Sequence, residues 1–203
     1  MAVNITETGE GMRIVTLDRA EKANALTEAM LGELIAAVAH STAPVLILTG
    51  VGQVFSAGAD LDEVRGGTLA TSPLWEELSG AIAGYDGLTI AALNGTAAGG
   101  ALGMVLACDL RVAVAGAKLF YPVIRVGVMP QPSDPARLAA LVGPARAKRI
   151  LLTGAKIDAA TAEAWGAFDA VVEEGAALET AQAWAGPAIA AKPGLVGRIK
   201  GLI

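Results

Sequence analysis

The chain has one cysteine and one histidine in 203 residues, and aromatic side chains make up 4% of it. A single cysteine excludes an internal disulfide and fits a reducing compartment, so a cytoplasmic location is expected. Positive charge is also scarce: 15 Lys and Arg face 20 Asp and Glu, for a net charge of −5. No basic stripe is visible, which argues against nucleic acid as a partner. An anionic ligand would have to be met by a local site, since the overall field repels it. Long apolar runs are lacking too. The most apolar stretch, Ile90 to Cys108, is broken by Asn94, Thr96 and four glycines and ends at Asp109. It reads as a buried strand, a turn and a buried helix, so no membrane partner is expected. The start of the chain has no charged residue followed by an apolar run, so no secretory signal is expected.

What is present is small and apolar. Hydrophobic residues make up 54% and glycine contributes 25 residues, enough for a core in which backbones approach closely. Strands are expected at Met12–Leu17, Val45–Leu48, Leu88–Leu93, Leu110–Ala115, Lys118–Tyr121 and around Ala170–Val172. Helices are expected from Thr27 as N-cap through Val38, over Ser72–Tyr85, and from Gly99 to Cys108. Further helices are expected over Pro135–Val142, Pro144–Thr153, Ala159–Trp165 and Ala177–Ala190, with a short one from Pro193. Arg65–Ser72 is polar and glycine-rich, and mobility is expected there. Buried strands alternating with helices predict an α/β fold with right-handed crossovers, divided into a core over 1–142 and a C-terminal helical region over 143–203.

Two glycine-bearing segments leave buried strands. One is Phe55-Ser56-Ala57-Gly58-Ala59-Asp60-Leu61; the other runs from Asn94-Gly95 to Gly99-Gly100-Ala101-Leu102-Gly103. At a strand-to-helix transition the first N–H groups of the helix have no internal partner, and the helix dipole adds positive potential. Two such groups converging on one point would stabilise an oxyanion, an arrangement in which one lost donor costs ~3 kcal/mol. Tight packing alone also produces such turns, and on physical grounds both readings stand. A phosphate loop is disfavoured, because neither segment spells G-x-G-x-x-G and no GKS or GKT follows.

These motifs resemble those of the crotonase (enoyl-CoA hydratase/isomerase) family. F-S-A-G-A-D-L is similar to its first signature and A-L-N-G-T-A-A-G-G-A-L-G-M-V-L-A-C-D-L-R-V-A to its second. Asn24-Ala25-Leu26 and the stretch from Leu152-Thr153-Gly154 to Val171-Val172 match further family elements. The resemblance implies a ClpP/crotonase-like spiral of ββα units and an acyl-CoA thioester substrate, with CoA as part of that substrate and no separate cofactor or metal. It also implies fatty acid metabolism and a homo-oligomer, a trimer or hexamer. The family's oxyanion hole falls on the backbone N–H groups of Ala59 and Gly100. Asp60 would brace the first loop, Ser56 and Ala57 would lie along the CoA path, and Lys22 would reach the CoA phosphates or remain a solvated lysine.

Two features depart from the family. Its two catalytic glutamates align with Gly103 and with Val123 after Pro122, and neither can exchange a proton, whereas general acid–base work needs a titratable group within ~3 Å. Standard hydration is therefore not expected. Asp134 is the leading replacement, although an aspartate before Pro135 at a helix start also fits a cap. Tyr121 is the next, with core packing as its alternative. Asp62 and Glu63 are expected to be solvated, His40 to be remote and Cys108 to be a small core residue. A serine peptidase is disfavoured because His40 is poorly placed and Ser56 lies within the first signature. The C-terminal helical region is also shorter than the resemblance implies; in typical members further helices cover the CoA site and build the trimer. Two readings remain: an enzyme acting through an enolate, or a CoA-ester-binding paralogue without turnover.

Overall fold

The computed structural model of the protein describes residues 2–67 and 69–203; within the Arg65–Ser72 stretch, Thr68 lies outside the described residues. Two sheets are built in alternation. Strands β1 (Val3–Glu7), β2 (Met12–Leu17), β3 (Val45–Gly50), β5 (Leu88–Leu93), β7 (Leu110–Val114) and β10 (Ala170–Val172) form a six-stranded sheet in that order. Within this sheet, among the described residues, only the β1–β2 pair is antiparallel. Strands β4 (Val54–Ser56), β6 (Thr96–Ala98), β8 (Lys118–Phe120) and β9 (Lys156–Asp158) form the second sheet. The chain thus visits the large sheet and then the small one three times, through β3 and β4, β5 and β6, β7 and β8. A helix follows each visit: α2 (Leu61–Gly66), α4 (Leu102–Ala107) and α5 (Val123–Val126).

The patterning explains why these residues take these places. Val45, Leu46 and Ile47 are fully buried, as expected of a parallel strand covered on both faces. β1 buries Val3 but exposes the rest, as an antiparallel edge can. Helix α1 (Glu28–Ala39) starts where expected: the Thr27 hydroxyl accepts from the Met30 N–H at 3.2 Å. α3 (Leu74–Ala83) buries Trp75, Leu78, Ser79 and Ile82 and packs against α1 and α4. At the turn between β5 and β6 only glycine fits at 95, because a Cβ there would lie 2.0 Å from the Gln53 carbonyl oxygen.

The C-terminal helical region is tied into both sheets. After α6 (Asp134–Val142) and α7 (Pro144–Thr153), β9 pairs with β8 and, beyond α8 (Ala159–Trp165), β10 pairs with β7. Helix α9 (Ala177–Ile189) lays Ala177, Ala181 and Ala185, four residues apart, against β3, β5 and β7. Lys200 on α10 (Leu195–Lys200) donates to the carbonyls of Tyr85 and Gly87 and to Asp109. The elements that periodicity did not predict are short: β1, β4, β6, β9, α2, α5 and the three-residue helical turns.

Candidate active site

The first glycine loop is anchored by polar side chains. Asn24, fully buried with φ at +52°, donates from Nδ2 to the carbonyls of Val51 (3.0 Å) and Val54 (2.7 Å). Its own carbonyl accepts from the Ser56 hydroxyl at 2.8 Å. Leu26 then bridges to Ala59: the Leu26 N–H donates to Gly58 O at 2.7 Å, and Asp60 N–H donates to Leu26 O at 2.8 Å. In a parallel bridge the residue opposite Leu26 turns its own N–H and C=O the other way. The Ala59 N–H therefore points away from Leu26, and Ala59 lines a pocket there.

Asp60 fixes the same loop. Its carboxylate accepts from the N–H groups of Asp62 (2.9 Å) and Glu63 (3.3 Å), capping α2, and from the Arg19 guanidinium at 2.6 Å. The Arg19 hydrogen bond, aided by the two backbone donors, holds its carboxyl below the usual carboxylate range.

The second loop meets the first directly. Gly58 takes φ +94°, and a Cβ there would lie 2.8 Å from Ala98 O and 3.3 Å from Gly100 N. Gly99–Ala101 form a single helical turn leading into α4, so the Gly100 N–H sits at the start of a helix with no preceding carbonyl. Trp75 packs on Gly100, with ring carbons 3.1 Å from where its Cβ would be, and the indole N–H donates to Leu69 O at 2.7 Å. Ala59 and Gly100 thus share one wall of an apolar pocket of about 240 Å³. Leu61, Val64, Val123, Val126 and Met129 contribute to the rest, and Tyr121 and Gln131 add polar atoms.

Behind Tyr121 lies Asp134, with no exposed surface. The Tyr121 hydroxyl donates to Asp134 Oδ2 at 2.6 Å and accepts from the Gln131 N–H at 3.3 Å, while Asp134 Oδ1 has no partner. The capping alternative does not hold for this carboxylate. Asp134 is the first residue of α6, Ser133 occupies the cap position, and no backbone N–H reaches the Asp134 oxygens. Burial pushes the Asp134 carboxyl up to about 6, and desolvation together with the neighbouring Asp134 charge raises the Tyr121 phenol. Gly103 borders the same carboxylate: a Cβ on it would lie 3.2 Å from Oδ1 and 3.4 Å from Oδ2.

The remaining candidates separate from this cluster. Val123 lines the pocket and is apolar. Ser56 is buried with its hydroxyl bound to backbone, so of the two residues expected on the CoA path only Ala57 lines the pocket. Lys22 is exposed and lies 3.5 Å from Asp62, which also pairs with Arg65. Glu63 accepts from the Glu28 N–H at the start of α1. His40 ends α1, exposed. Cys108 is buried, donates to Met104 O, and burial pushes its thiol up to about 12. Among the described residues no cluster of His, Cys, Asp or Glu suits a metal ion, and no helix is long and apolar enough to cross a membrane. Trp75 and Gln131 belong to the pocket but stand in no motif; the sequence placed Trp75 only within an expected helix.

Comparison with known proteins agrees with this architecture. The enoyl-CoA hydratase/isomerase family profile matches residues 7–198. A probable enoyl-CoA hydratase of Rhizobium meliloti is 34% identical over 183 residues, covering 87% of this chain and 71% of that protein. The mevalonyl-coenzyme A hydratase SIDH of Beauveria bassiana is 34% identical over 190 residues, covering 85% and 68%. Among solved structures, Pseudomonas aeruginosa DspI superposes with a TM-score of 0.90 at 31% identity, covering 99% of this chain and 85% of that one. An enoyl-CoA hydratase of Bacillus anthracis gives 0.89 at 28% identity, covering 99% and 81%. The two signatures, the alternating double sheet and these likenesses place the chain in the enoyl-CoA hydratase/isomerase family, with the crotonase fold.

Proposed function

We propose that this member of an acyl-CoA-processing family binds an acyl-CoA thioester with its carbonyl oxygen between the N–H groups of Ala59 and Gly100, and stabilises the enolate formed beside it. The observation that carries the reading is the contact between the two loops at Gly58, which brings Ala59 and Gly100 together in the lining of a largely apolar pocket. Donors fixed by the backbone need no reorganisation as charge develops on the oxygen, and inside an apolar pocket they act in a low dielectric. Ala57 would border the route of the pantetheine arm, and Lys22, exposed and 3.5 Å from Asp62, would be the cation that meets a CoA phosphate.

The reaction is one other than hydration. Adding water across a double bond needs groups that activate the water and protonate carbon, and the two positions aligned with the family's glutamates are glycine and valine. Isomerisation, decarboxylation or C–C cleavage each use the same enolate with fewer proton-handling groups. A paralogue that binds CoA esters without turnover would keep the hole and nothing else, and a lyase is distinguished from it by bond cleavage.

The test is a titration with crotonyl-CoA followed by a hydration assay. Crotonyl-CoA is expected to bind, and its thioether analogue, which lacks the carbonyl oxygen, to bind roughly 30-fold more weakly, as two hydrogen bonds of ~1 kcal/mol would give. Hydration is expected to be negligible. Equal binding of the two compounds would overturn the hole, and robust hydration would overturn the reading of Gly103 and Val123.

A further inference from the structure

Among the described residues the pocket wall offers one polar side chain backed by a buried acid, and this deepens the enolate reading. We propose that Tyr121 and Asp134 form a two-step proton relay, in which the Tyr121 hydroxyl touches the substrate α-carbon and Asp134 is the buried proton store behind it.

The valences of the hydroxyl carry the argument. A phenol has one donor and two acceptor positions. The donor is committed to Asp134 Oδ2 at 2.6 Å and one acceptor position to the Gln131 N–H at 3.3 Å. One lone pair remains, on a residue that lines the pocket together with Ala59 and Gly100. When the substrate Cα–H bond breaks, its proton joins the phenol oxygen while the phenol proton passes to Oδ2. The electron pair moves into the enolate, whose negative charge lies on the thioester oxygen. Asp134 begins as carboxylate and ends as carboxylic acid; reprotonation at carbon runs the same steps backwards. At no stage is a free tyrosinate required, which matters because the site disfavours one. Tyr121 is the catalytic residue of the pair, and Asp134 acts through it.

Two further observations fit a proton store and do not fit a packing residue. Asp134 Oδ1 is buried without a partner, so the carboxyl is left under-solvated where a structural aspartate would be fully bonded. Residue 103 beside it is glycine, so no side chain presses on the carboxyl from that side, where a Cβ would lie 3.2 Å from Oδ1. The groups whose charges act on Asp134 are Arg137 on its own helix, Glu76 on α3 and Tyr121 itself. Glu76 is hydrogen-bonded to the hydroxyl and N–H of Ser133, and Arg137 to the Ser79 hydroxyl at 2.8 Å, so neither bonds to Asp134.

The experiment is deuterium exchange at the α-carbon of butyryl-CoA in deuterium oxide, followed by mass spectrometry. The wild type is expected to exchange, with a rate that rises with pH around a midpoint near 6. Tyr121→Phe keeps the ring in place and is expected to slow exchange about 100-fold while butyryl-CoA binding stays within a few-fold. Asp134→Asn is expected to slow it as well and to abolish the pH dependence, which a merely structural role would leave in place. Exchange that persists in Tyr121→Phe overturns the relay and leaves the oxyanion hole standing. A wild type that binds butyryl-CoA but never exchanges it overturns the enolate reading and the relay together.

Discussion

Asp60 and Asp134 are both buried, both stand at the start of a helix, and each lies one step behind a pocket-lining residue, yet their carboxyls are driven in opposite directions. Around Asp60 stand a guanidinium and two backbone N–H groups, so ionisation is favoured despite burial. Around Asp134 there is a single phenol and one oxygen with nothing to bond. Burial is common to both and decides neither; the number and charge of the donors do. The Asp60 region is arranged to hold a shape. The Asp134 region keeps a carboxyl close to the point at which it gains or loses a proton, at a cost in stability.

That contrast can be broken from either side. The largest effect is expected for Asp60→Ala, which removes the cap of α2 and leaves Arg19 without its partner. A loss of about 2–3 kcal/mol in denaturant unfolding is expected, moderated because Arg19 is partly solvated. The loss should shrink as pH falls below about 3.8, since the stability that Asp60 supplies as an anion is absent once it is protonated. Unfolding free energies of the variant and wild type that coincide at pH 7 would show that Asp60 does not hold the loop.

Asp134→Asn should act with the opposite sign. The native carboxyl takes up its proton near 6 and the unfolded one near 3.8, so the native state holds the extra proton between those values. Wild-type stability therefore falls as pH rises through that window and stays lowered above it. The variant is expected to be more stable than wild type at pH 8 by about 1–2 kcal/mol, the gain being reduced because the new amide NH₂ finds no acceptor. At pH 3.5 that advantage should vanish. Thermal unfolding across the two pH values checks it, and a variant destabilised at pH 8 would mean that the anion is well solvated after all.

The smallest effect is expected from Gly103→Ala. Alanine favours the helix by up to ~1 kcal/mol over glycine, while its methyl presses on the carboxyl. The net change in stability should stay within about 1 kcal/mol, with the Asp134 midpoint moved upward by the added desolvation. Titration of the Asp134 carboxyl by NMR reads that shift; an unchanged midpoint would place the carboxylate farther from residue 103.

Much of this was legible in the sequence, for different reasons in different places. The long elements announced themselves by burial pattern: Leu88–Leu93 and Pro144–Thr153 are found with the expected bounds, and Thr27 caps the first helix as its residue type suggests. The two glycine loops were recognisable because close backbone approach tolerates few residues, as Gly58 and Gly95 show. Asn24-Ala25-Leu26 could be matched as a motif, but its bridge to Ala59 depends on a contact 33 positions away that no local pattern encodes. Asp134 carried a real signal, an acid before Pro135, yet local chemistry favoured a cap as readily. Only the fold brings Tyr121 and Gly103 to it, from β8's end and from α4. The short strands β4, β6 and β9 were missed because three residues give too little alternation to register.

Gly103 and Asp134 occupy one shared volume, and this constrains how the chain can change by mutation. A glutamate at 103 alone would press its first carbon against a buried carboxyl and set two like charges in one apolar space. Loss of Asp134 alone would leave a void beside a glycine. The two positions are therefore coupled: the effect of a substitution at one depends on the residue that stands at the other.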